Sequence, residues 1–127
     1  MNLEIKNIQN SSGFLIVKRF HKLLDNHVKE LLDGDVQEFY TLKEISRELA
    51  ISQQHLSDTV KKISGYTPCY LYDQKIISEA QKMLVETDIP IVEIARKLTY
   101  DASNFSKFFK KWTGTTPGRF RKEKSDA

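Results

Sequence analysis

The sequence predicts an all-α fold, and three observations predict it. Apolar residues recur at three- and four-residue intervals in successive segments, start and stop signals bracket those segments, and one two-helix unit occurs twice. The repeat is the most informative of the three. Shifted by 49 residues, Leu42–Pro68 lies over Ile91–Pro117 without a gap, and ten of the 27 aligned positions are identical. These are Glu44/Glu93, Ile45/Ile94, Arg47/Arg96, Leu49/Leu98, Ser57/Ser106, Lys61/Lys110, Lys62/Lys111, Gly65/Gly114, Thr67/Thr116 and Pro68/Pro117. Other positions exchange like for like, as in Leu56/Phe105, Ile51/Tyr100 and Val60/Phe109.

Residues 1–12 read as a linker or N-terminal arm. A helix over about Phe14–Leu32 follows, with Val17, Phe20, Leu24, Val28 and Leu31 on one stripe. Thr41-Leu-Lys-Glu44 has the form of a capping box, in which hydroxyl and carboxylate satisfy each other's backbone donors. Leu42, Ile45 and Leu49 then give a helix of about two turns. Ser52 is the next capping candidate, and a second helix runs through Leu56, Thr59, Val60 and Ile63. Gly65 is placed to end it in a left-handed cap. Thr67-Pro68 opens another helix, a capping hydroxyl before a first-turn proline. That helix, about Cys69–Glu86, carries Ile76, Ile77, Ala80, Met83 and Leu84 on one face. The second copy repeats the plan: Asp88 and Pro90 open it, Ile91, Ile94 and Leu98 line its first helix, Asp101 caps its next, and Gly114 closes that. Phe105, Phe108, Phe109 and Trp112 are expected to face inward, as core rather than as a base-stacking surface. The chain thus divides into an arm (1–12), a first subdomain (13–67), a linker helix (68–87), a second subdomain (88–122) and a tail (123–127).

Composition narrows the function classes. The chain has 127 residues, 39% hydrophobic and 29% charged, which suits a small helical protein with much solvated surface. No apolar run approaches the roughly 20 residues that span a bilayer, and no basic segment followed by an apolar block opens the chain. Cys69 is the one cysteine, so no internal disulfide or cysteine metal cluster can form, and a reducing cytoplasm is expected. His21, His27 and His55 lack metal-ligand spacing. No cofactor or metal is expected. There is no glycine-rich phosphate loop and no nucleophile–base pair, which argues against an enzyme. The net charge is only +3, but residues 90–124 hold nine basic groups against three acidic ones, a local +6. Clustered positive charge is the electrostatic footprint of a polyanion binder. A helical protein-interaction module would explain the amphipathic helices but not this basic cluster, and nothing indicates a stacking platform for RNA.

Two short helices joined by about three residues match the helix-turn-helix pattern. A small residue stands where the helices cross (Ser46, Ala95), and apolar residues follow three and five places later (Leu49 and Ile51, Leu98 and Tyr100). Leu56 and Phe105 come five places further on. The 18 residues between the units would span roughly 27 Å at 1.5 Å per residue, approaching the ~34 Å that separates successive major grooves on one face of DNA.

The runs Ile91-x-x-Ile94-Ala95, Phe105-Ser106-Lys107-x-Phe109-Lys110-Lys111 and Gly114-x-Thr116-Pro117 closely resemble the AraC/XylS family of bacterial transcription regulators. Ile51-Ser52-x-x-x-Leu56-Ser57, then Lys61-Lys62 and Gly65, resembles that family's first unit. The resemblance covers about residues 14–122. It implies about seven helices forming two tandem helix-turn-helix subdomains joined by a linker helix. It also implies two recognition helices in adjacent major grooves of double-stranded DNA, and regulation through contact with RNA polymerase. Three departures stand out. Thr99-Tyr100 replaces the family's common Gly-Phe, one residue shorter before Asp101. Asp58 stands where the family usually has arginine. The N-terminal effector-binding and dimerising domain of many members has no counterpart here, so the chain is expected to be either a stand-alone member or the DNA-binding part of a longer regulator; residues 1–12 resemble a cut linker, which favours the latter, and the isolated domain is expected to be monomeric.

Base readout needs side chains that reach the groove floor, while phosphate contacts position the protein. The candidates for base contact are Gln53, Gln54, Ser57 and Asp58 on the first recognition helix and Ala102, Ser103, Asn104 and Lys107 on the second. Glutamine pairs with adenine, lysine with guanine, and alanine meets the thymine methyl. The phosphate candidates are Ser52, His55, Lys61, Lys62, Lys110, Lys111, Arg119 and Arg121.

Overall fold

The computed structural model describes residues 12–35 and 38–125, and every regular element among them is a helix. There are seven: α1 (Ser12–Asp33), α2 (Leu42–Glu48), α3 (Gln53–Ser64), α4 (Pro68–Glu86), α5 (Ile91–Lys97), α6 (Ala102–Thr113) and α7 (Pro117–Ser125). They fall into two compact units. The first holds α1 as far as His27 and then Phe39–Asp73; the second holds the rest of α1 from Val28, and the chain from Gln74 to the end of α7. The division runs inside α1 and α4, so each of these helices contributes apolar residues to both units.

The first unit buries Val17, Phe20 and Leu24 of α1, Ile45 of α2 and its C-cap Leu49, Leu56 and Val60 of α3, and Leu71 and Tyr72 of α4. Each such side chain contributes about 1.5–3 kcal/mol by leaving water. His27 is buried among them, its ring stacked on Tyr40 at 4.0 Å. Its Nε2 accepts the Tyr40 backbone N–H at 3.2 Å, which anchors the chain just before α2. The capping box is present there: the Glu44 N–H donates to Thr41 Oγ1, and the Thr41 N–H donates to Glu44 Oε1, both at 3.2 Å.

The second unit buries Val28 and Leu31 of α1, Ile76, Ile77, Ala80 and Leu84 of α4, Ile94 and Ala95 of α5, Leu98, and Phe105 and Phe109 of α6. Phe120 of α7 meets the Phe109 ring edge-on at 5.4 Å. Arg121 locks α7 to the end of α4: its Nε donates to the Leu84 carbonyl at 3.0 Å and its Nη2 to the Thr87 carbonyl at 3.3 Å. Helix C-termini leave carbonyls without partners, and a guanidinium satisfies two at once.

The 49-residue repeat holds almost bond for bond. Ser52 Oγ accepts from the His55 N–H at 3.0 Å, and Asp101 Oδ1 from the Asn104 N–H at 2.8 Å. Gly65 and Gly114 end α3 and α6 at φ +84° and +82°. Ser64 and Thr113 donate back to Val60 O and Phe109 O. Thr67 and Thr116 accept from the Tyr70 and Arg119 N–H groups. The turn inside each unit is a Schellman motif. Ile51 N–H donates to Ser46 O and Tyr100 N–H to Ala95 O, while Ala50 N–H donates to Arg47 O and Thr99 N–H to Arg96 O.

Several details differ from the sequence reading. Ser12 already opens α1; residues 1–11 of the expected arm lie outside the described residues. Pro90 opens α5 from its N-cap, and no side chain of the described residues, Asp88 included, caps that helix. The expected tail is helical through Ser125. Phe108 and Trp112 are half-buried, with Phe108 stacked on Tyr100 at 5.1 Å, because they lie at the flank of α6 rather than on its inner stripe. Met83 is half-buried for the same reason on α4.

Candidate nucleic-acid interface

On α3 the buried residues are Leu56 and Val60, so the opposite stripe faces outward. Gln54, Asp58, Lys61 and Lys62 form that stripe, at i, i+4, i+7 and i+8, and all four are exposed. On α6 the buried residues are Phe105 and Phe109, and Ser103, Lys107, Lys110 and Lys111 form the matching exposed stripe. The fold thus presents the same four positions twice. Gln53, His55, Ala102 and Asn104 are exposed in the first turns, and Ser57 is half-buried beside the stripe.

The chemistry of the two stripes differs. On α3, Gln54 Nε2 donates to Asp58 Oδ1 at 2.9 Å, and Lys61 Nζ donates to the Gly65 carbonyl at 2.9 Å. On α6, Asn104 Nδ2 donates to Asp101 Oδ2 at 2.7 Å, drawing that amide into the cap. The Lys107, Lys110 and Lys111 side chains have no hydrogen bond or ion pair among the described residues. The α6 stripe therefore carries three unengaged positive charges, whereas that of α3 carries two lysines and a carboxylate.

Of the other basic candidates, Arg119 is exposed and lies 3.9 Å from Glu123, an exposed pair worth little. Arg121 is half-buried, and its Nε and Nη2 donate to carbonyls at the end of α4, a structural role that the sequence reading, which placed it with the phosphate candidates, did not include. No local pattern announces that role, because the partners lie 34 and 37 residues away. The Gln54–Asp58 bridge was legible in principle, as glutamine and aspartate one turn apart on a helix face commonly pair. Among the described residues no group of three or more His, Cys, Asp or Glu side chains could hold a metal ion. No described helix is long and apolar enough to cross a membrane.

Two short helices, a four-residue connection with one left-handed residue and an outward polar stripe on the second helix define each unit as a helix-turn-helix. Comparison with known proteins makes the class specific. A helix-turn-helix domain model matches residues 45–123, and the chain belongs to that family as an AraC-type DNA-binding domain. It is 31% identical over 105 residues to the HTH-type transcriptional regulator YtdP of Bacillus subtilis, covering 82% of this chain and 14% of that protein. It is 27% identical over 111 residues to the arabinose operon regulatory protein of Escherichia coli, covering 84% of this chain and 38% of that one. The C-terminal domain of AraT, a response regulator from Geobacillus stearothermophilus, superposes with a TM-score of 0.75 at 28% identity, covering 85% of this chain and 84% of that domain. The chain thus spans less than two-fifths of the length of either full regulator.

Proposed function

We propose that this chain is the sequence-reading part of a bacterial transcription regulator, binding one asymmetric duplex site through two adjacent major-groove segments. The observation that carries the proposal is the twofold presentation of one outward stripe, on α3 and on α6, in units of a DNA-binding family. Gln53, Gln54, Ser57 and Asp58 are assigned to bases in one segment, and Ala102, Ser103, Asn104 and Lys107 to bases in the other. Ser52, His55, Lys61, Lys62, Lys110, Lys111 and Arg119 are assigned to phosphates. A monomer of this domain is the binding species, and RNA polymerase is the protein partner in the cytoplasm. Fluorescence anisotropy on a labelled duplex, titrated with salt, tests the core of this reading. Binding by counterion release gives a linear fall of log K with log salt, with a slope of about −0.9 per phosphate neutralised. Salt-independent binding, or none, contradicts it.

A further inference from the structure

We propose that Gln54 and Asp58 of α3 act as one reading unit, in which Asp58 sets the Gln54 amide and the pair selects two neighbouring bases that carry amino groups. The proposal rests on the placement of α3 in the major groove given above. Gln54 Nε2 and Asp58 Oδ1 are 2.9 Å apart on an exposed face. A carboxylate oxygen only accepts, so the contact fixes which end of the amide faces Asp58 and which end faces away. One Nε2 hydrogen is used. The other hydrogen and Oε1 stay available, and they are the donor and acceptor that adenine N7 and its amino group require. Asp58 Oδ2 has no partner among the described residues, and an acceptor in that place suits the amino group of cytosine.

Residues at i and i+4 lie about 5–6 Å apart at their Cβ atoms, while stacked bases rise about 3.4 Å along a strand. Two such side chains therefore reach adjacent base pairs. A glutamine without the bridge would sample both amide orientations and several rotamers, so the bridge prepares the side chain before DNA arrives. The second unit has no such device: Ser103 and Lys107 occupy the equivalent positions with no hydrogen bond between them. Lysine only donates, which suits guanine. The two helices therefore read differently at these positions, α3 with one donor and two acceptors and α6, at Lys107, with donors alone.

The test is in-vitro selection of bound duplexes, followed by anisotropy titrations on the selected site and its single-base variants. Wild type, Gln54→Ala, Asp58→Ala and Asp58→Asn are compared. The wild type is expected to select adenine and cytosine, or their complements on the other strand, at neighbouring positions. Asp58→Ala loses about fivefold discrimination or more at both positions, the lower end of what such a contact supplies. Asp58→Asn, whose amide oxygen still accepts from Gln54, keeps the adenine preference and loses the cytosine one. Gln54→Ala loses the adenine preference alone. Asp58→Ala relaxing only one position, or none, in a protein whose wild type binds selectively, overturns the coupling while leaving the DNA-binding reading intact. A wild type with no sequence preference overturns the reading of α3 itself.

Discussion

In the first unit the Thr41–Glu44 capping box closes the entry to the helix pair; in the second, Pro90 stands at the same place and no side chain caps α5. Ala50 takes the left-handed turn position at φ +57° in one copy, and Thr99, a branched residue, at φ +68° in the other. After the recognition helix, Tyr66 and Tyr70 stack at 4.5 Å in the first unit where the second has Thr115 and Arg119. Yet the backbone bonds of both turns, both recognition-helix N-caps and both glycine caps are the same. The lesson is that the skeleton rests on backbone bonds and a few buried positions that tolerate exchange. The exposed positions are then free to specialise, and the second copy has specialised towards positive charge.

The largest expected effect sharpens that division of labour. Lys110 and Lys111 are unengaged, whereas Lys61 donates to the Gly65 carbonyl. Replacing Lys110 and Lys111 with glutamine should reduce the salt slope by about 2, losing two phosphate contacts at ~0.9 each. The Lys61/Lys62 double variant should reduce it by less, because the Lys61 ammonium divides its donors between phosphate and the Gly65 carbonyl. Equal reductions in parallel anisotropy titrations would break the proposed asymmetry.

Next in size is Arg121, whose role has no counterpart in the first unit, where the equivalent residue is Tyr72. Arg121→Ala should destabilise the protein by about 1.5–3 kcal/mol, the range for hydrogen bonds to a charged donor. Arg121→Lys should recover only part of this, because an ammonium cannot reproduce the planar fork. Urea unfolding measures both. If instead both variants kept wild-type stability and flattened the salt slope, Arg121 would be a phosphate contact after all.

The turn residues make a paired test of strain. A left-handed conformation costs a residue with a Cβ about 1–2 kcal/mol, and the Thr99 hydroxyl is also buried without a hydrogen-bond partner among the described residues. Thr99→Gly should therefore raise stability by about 1–2 kcal/mol and Ala50→Gly by less. A drop in stability for Thr99→Gly would mean that the threonine makes a contact worth more than its strain. The smallest effect is at the helix entries. Thr41→Ala should cost about 1 kcal/mol, while Pro90→Ala, with no cap bond to lose, should leave the α5 entry near wild type.

The helices, their caps and the repeat were legible because each rests on short-range signals: Thr41 with Glu44, Ser52, Asp101, Gly65 and Gly114 all act within a turn of their own position. Leu56, Val60, Phe105 and Phe109 announced the buried faces, and by subtraction the outward stripes. What escaped the sequence was long-range or local to one copy. Arg121 finds its carbonyls through the fold, the His27–Tyr40 stack joins residues 13 apart, and the helical run through Ser125 replaces an expected tail. Pro90 fits either a cap or a first-turn position, and only the backbone bonds decide between them.

Whether two unlike recognition helices read one asymmetric site is decided by selecting bound duplexes from a random pool with the wild-type chain. The expected result is two unlike blocks of specified bases about one helical turn apart, with amino-bearing bases in one block and guanine in the other, bound by a monomer. A single short palindrome bound by two copies of the chain would contradict it.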